Sequence, residues 1–122
     1  MNQIKKIIAS SINKKLEGLV QVGSFVEFYG IHTKIKCFIC RVNNDTNTVD
    51  YVRENLTRWN VSMNLIQKGS LISEDNFISE VKYNAEKSMK KIPTTNEVKS
   101  VLKIFKSNFD VDKSEILKAL NL

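Results

Sequence analysis

The chain has 122 residues, 42% of them hydrophobic and 26% charged, which excludes a disordered tail and fits one domain of roughly 100–150 residues. No apolar run approaches the ~18–20 residues that span a bilayer, and Ser10, Ser11 and Asn13 break the basic N-terminus too early for a secretory signal, so no membrane contact and a cytoplasmic location are expected. The formal net charge of +6 raises a polyanionic partner, yet sixteen Lys against three Arg in a chain rich in Ile and Asn is also what AT-rich codon usage produces.

Residues 1–19 read as an amphipathic helix. Ile4, Ile7, Ile8, Ile12 and Leu16 share one face and Gly18 stops the run. This segment carries +3 (four Lys, one Glu), the largest share of the excess. Its stripe is wholly aliphatic, with no Trp or Phe for a membrane interface, so packing on the rest of the fold or on a second copy is favoured. A homodimer is one expectation that follows.

Residues 20–72 change to β texture. "GSFVEFYG" and "TKIKCFICRV" are β-branched and aromatic, "NNDTN" (Asn43 to Asn47) is a tight turn, and "TVDYVRE" alternates. In "RWNVSMNLI", Trp59, Val61, Met63 and Leu65 alternate with Arg58, Asn60, Ser62 and Asn64, which predicts a strand with the first set in the core. Together, "VGSFVEFYG…IKCFICRVNNDTNTVDYVREN…RWNVSMNLIQKG" resembles a small SH3-like barrel of the Tudor/KOW type, a pattern common in small phage and plasmid proteins. The likeness covers about residues 21–68 and implies a fold more than a function.

Residues 73–122 read as a helical cluster. Ser73 caps a first helix with apolar residues Phe77, Ile78, Val81, Ala85, Met89 and Ile92, ending before Pro93. "TTNE" (Thr94 to Glu97) is a capping box before Val98, Val101, Leu102 and Phe105, and "DKSE" (Asp112 to Glu115) opens a short helix with Ile116, Leu117 and Leu120. A DNA-reading helix-turn-helix is weighed here, but Lys113, Lys118 and Asn121 are a thin set for reading bases, and packing is preferred. The expected class is therefore α+β: a curled antiparallel sheet with an N-terminal helix and a C-terminal helical cluster.

The chemistry-bearing residues are few. Cys37 and Cys40 stand three apart in a strand and so point to opposite faces, which argues against a metal or redox pair. His32, in the turn between the first two strands, has no acid-base partner by motif. Glu74–Asp75 and Asp110/Asp112 fit helix capping, and no nucleophile elbow, phosphate loop or zinc-protease motif occurs. No catalytic residue, metal or cofactor is assigned, and a non-enzymatic binding protein is expected.

The binding candidates are Lys34, Lys36, Arg41, Arg53 and Arg58 with Tyr29 and Tyr51, which interleave cations and aromatics on short strands as a nucleic-acid or nucleotide face would. Trp59 is read as core because of its phase. A second hypothesis is a protein-interaction or inhibitor module of a mobile element, of the anti-defence type, docking on another protein. Arginines paired with carboxylates and spread over different faces would remove the first hypothesis's site.

Overall fold

Residues 20–122 are described by a computed structural model; the helix expected over residues 1–19 lies outside them. The β-branched and aromatic half forms an antiparallel meander of β1 (Phe25–Tyr29), β2 (Lys34–Asn43), β3 (Thr48–Arg53) and β4 (Arg58–Ser62). A short helix, α1 (Met63–Gln67), then leads to β5 (Ser70–Leu71), which pairs with β1. The sheet order is β4-β3-β2-β1-β5. Gly69 permits the return, because a Cβ there would collide with the Glu27 carbonyl on β1. Between β2 and β3, Asn43 Oδ1 accepts from the backbone N–H groups of Asp45 and Thr46, and Asn47 closes the expected turn at φ 56°.

Each face of the sheet has its own core. The inner cluster takes Val26 and Phe28 from β1, Ile35, Cys37 and Ile39 from β2, and Val49 and Tyr51 from β3. Met63 and Ile66 of α1 close it together with Val20, which precedes β1. The outer cluster begins with Phe38, Cys40 and Val52 and is covered by α2 (Glu74–Lys87), α3 (Thr95–Ser107) and α4 (Lys113–Ala119). Phe25 bridges this seam, its ring 5.1 Å from Phe38 and 5.4 Å from Phe77. The α+β class read from the sequence is the one the chain adopts.

The register slips between Ile39 and Arg41, so Cys40 and Arg41 both face Asp50 and lie on the outer side. Cys37 and Cys40 are thus buried in different clusters, on opposite faces, as the alternation predicts. Burial pushes the Cys40 thiol up to about 12 and the Cys37 thiol higher still.

Three sequence expectations need correction. The alternation after Trp59 does not continue as strand: Ser62 caps α1 by accepting from the Asn64 N–H, and Leu65 turns outward. Trp59 is 47% exposed rather than core, because it stands on the edge strand β4, where among the described residues the Arg53 guanidinium lies over its ring. The first long helix ends at Lys87, leaving Met89 and Ile92 exposed outside it. There Met89 takes the left-handed conformation at φ 57°, and the Lys90 N–H bonds back to the Ala85 carbonyl. The caps at Ser73, Thr94 and Asp112 form as read. Among the described residues no helix is long and apolar enough to cross a membrane.

Candidate functional site

The seven residues expected to form one basic and aromatic face do not share one. Register puts Tyr29, Lys34, Lys36, Arg41 and Arg58 on the outer side, and Tyr51 and Arg53 on the inner side. Tyr51 is buried edge-to-face against Phe28 at 5.5 Å, and burial pushes its hydroxyl up to about 12. It offers no stacking surface.

The cations are also engaged inside the molecule. Arg41 Nε lies 2.9 Å from Asp50, its Nη1 lies 3.2 Å from Asp110, and its guanidinium sits 4.8 Å over the Phe109 ring. Arg58 Nη1 donates to the carbonyls of Phe109 and Val111 at 3.0 and 2.8 Å. Both arginines therefore fasten the sheet to the α3–α4 connection. Arg53 pairs with Glu54 at 3.0 Å and lies over Trp59. Its Nε is buried without a partner among the described residues. Lys36 reaches Asn76 and Glu80 of α2, and Lys34 pairs with Glu27 at 2.9 Å. At the hairpin tip Tyr29 and Ile31 are exposed beside His32.

An open site lies elsewhere, on the seam between sheet and helices. A cleft of about 480 Å³ opens between the β3–β4 turn and the helical cluster. This volume falls in the range of about 300–1,000 Å³ that ligand sites occupy. Its floor is apolar: Val81 and Ala85 from α2, Phe105 from α3, and Ile116 and Leu117 from α4, with Leu56 from the turn and Pro93 from the α2–α3 connection. Val81, Phe105 and Ile116 belong to the outer core, so the cleft is a place where that core reaches the surface.

Local backbone choices hold the cleft open. Leu56 stands at φ 61° after a turn closed by its N–H to the Arg53 carbonyl, a place where glycine is the unstrained choice. Glycine would leave no side chain to pack on the helices, whereas Leu56 does. Met89 and Asn121, at φ 57° and 59°, end α2 and α4 beside the same cleft. Each such non-glycine costs on the order of 1 kcal/mol.

The rim is basic. Arg58, Lys90, Lys91 and Lys113 line it, against one acid, Glu54. Glu54 is already committed, bonding Arg53 with one oxygen and accepting the Lys36 backbone N–H with the other. Lys91 bonds the Asn121 carbonyl at 3.5 Å, while the Lys90 and Lys113 ammonium groups make no hydrogen bond or ion pair with the described residues. The cleft therefore offers apolar contact below and positive charge above.

Sequence reasoning missed Leu56, Lys90, Lys91 and Leu117 as site residues. The signal for the lysines is "MKKIP", a basic break before proline, hidden when Met89 and Ile92 are assigned to a helix face. Nothing in the sequence marks Leu56. No family model matches the chain, and neither does any curated protein or solved structure.

Proposed function

We propose that this protein is a non-enzymatic protein-interaction module that seats a segment of another protein in the seam cleft. What carries this reading is an apolar cleft with a basic rim, where Lys90 and Lys113 have no side-chain partner among the described residues, in a molecule whose three arginines are bound internally. Exposed Met89, Ile92, Leu117 and Leu122 extend apolar surface around the cleft, as a macromolecular partner needs and a small ligand does not. We read the sheet as an SH3-like barrel. Supporting this are the four-stranded meander, the short helix before the last strand, and the return of that strand to β1. The nucleic-acid reading loses support, since Arg41, Arg53 and Arg58 lie on two faces and are already partnered.

A parallel binding experiment separates the two. A displayed library of random 16-residue peptides is panned on the protein, and fluorescent 20-nucleotide oligo-dT and oligo-U strands are titrated at 50 and 200 mM salt. The interaction reading expects peptides whose binding is lost in Ala85→Phe and in Leu117→Asp. Tight strand binding that falls by roughly a thousandfold between the two salts, as six or more phosphate contacts require, would establish the nucleic-acid reading instead.

A further inference from the structure

We infer that the cleft's occupant is a short amphipathic α-helix of the partner protein, with apolar side chains at i, i+3 or i+4, and i+7 and acidic residues along its flanks. This rests on the reading that the cleft is the binding site.

The walls decide the backbone form of the occupant. An extended segment gains affinity by adding to a sheet edge through main-chain hydrogen bonds. Of the cleft lining only Arg58 belongs to a strand, as the first residue of the edge strand β4, too little for a peptide to pair with. On one side the wall is the β3–β4 turn, where the Arg53 and Leu56 N–H groups bond the Thr57 and Arg53 carbonyls and the Thr57 N–H bonds the Asn55 side chain. On the other side the wall is the bodies of α2 and α4, whose backbone groups are spent within the helices. A strand pressed against these surfaces would bury unpaired amides, a cost that opposes binding. A helix brings its own hydrogen bonds and needs only side-chain contact.

Charge decides the flanks. Lys90 and Lys113 both line the cleft, one just past the end of α2 and the other at the first turn of α4. Both are unpaired among the described residues, and the one acid of the rim is already engaged. A helix lying in the cleft meets both lysines. Glu or Asp flanking its apolar stripe complements both, and a basic amphipathic helix is repelled by both.

The test uses the whole chain and the strongest peptides from the 16-residue library, synthesised and titrated by fluorescence anisotropy, with far-UV circular dichroism of each peptide free and bound. Expected are selected sequences rich in Asp and Glu around apolar residues of helical spacing, with helicity gained on binding. Lys90→Glu/Lys113→Glu should weaken them by roughly 10- to 100-fold, and 500 mM salt should weaken them several-fold. Selected peptides that need the cleft, but carry no acids or alternate with a two-residue period, would overturn the helix and leave the site intact. Peptides that still bind Ala85→Phe and Leu117→Asp, or a selection that yields none, would overturn both. Leu117 is already 37% exposed, so the second variant keeps the fold where the first strains it.

Discussion

The two faces of one sheet are closed in different ways. The inner face is filled mainly by side chains from its own strands, with Val20 and two residues of α1 among the described residues. The outer face needs three helices from the other half of the chain, two arginine fastenings and three left-handed non-glycine residues, and it still leaves a cleft of about 480 Å³. A curled sheet can choose its own interior residues to fit. A separate helical layer meets the sheet as a ready-made shape, and the mismatch leaves space at the seam. That space is where binding is best sought.

The strongest way to break this comparison is to truncate one apolar side chain on each side. Phe28→Ala, at a fully enclosed inner position, should cost about 3–5 kcal/mol in chemical denaturation. Leu117→Ala, on the cleft wall, should cost less than about 1 kcal/mol. Equal losses would mean the seam is packed like the interior. Next comes the fastening. Arg58→Ala removes two charge-assisted hydrogen bonds to the α3–α4 connection and should cost about 1–2 kcal/mol, while Lys90→Ala and Lys113→Ala should stay within about 0.5 kcal/mol.

The cysteines report the two faces separately. Burial holds both thiols protonated at pH 8, so each should label only when its cluster opens. With single-thiol variants Cys37→Ala and Cys40→Ala, the seam residue Cys40 should label roughly tenfold faster than Cys37, because the helical layer opens before the curled sheet does. Identical rates would make the molecule a single opening unit. The smallest effect concerns strain. Met89 is 95% exposed in a left-handed conformation, so Met89→Gly should raise stability by about 0.5–1 kcal/mol while weakening any peptide that uses its side chain.

What could be read in the sequence was what neighbours along the chain decide. Alternation assigned Cys37 and Cys40 to opposite faces, and Ser73, Thr94 and Asp112 announced their helices through their own side chains. What could not be read depends on distant partners. Arg41 meets Asp110 and Arg58 meets the Val111 carbonyl 69 and 53 residues further along the chain, so a fastened arginine and a free one look alike in sequence. Met89 hides a helix end because it does a glycine's work without being one. Trp59 keeps the phase of a core residue, but the open edge of β4 leaves it half uncovered.

The most direct test locates the binding surface without assuming it. A peptide chosen only for its affinity is titrated into ¹⁵N-labelled protein, and the amide resonances that move are assigned. Binding at the seam predicts movement confined to residues 54–58, 81–93, 102–108 and 111–122, with the hairpin of Tyr29 to Lys36 and the indole of Trp59 unchanged. Movement centred on that hairpin and on Trp59, with the cleft silent, would contradict the account.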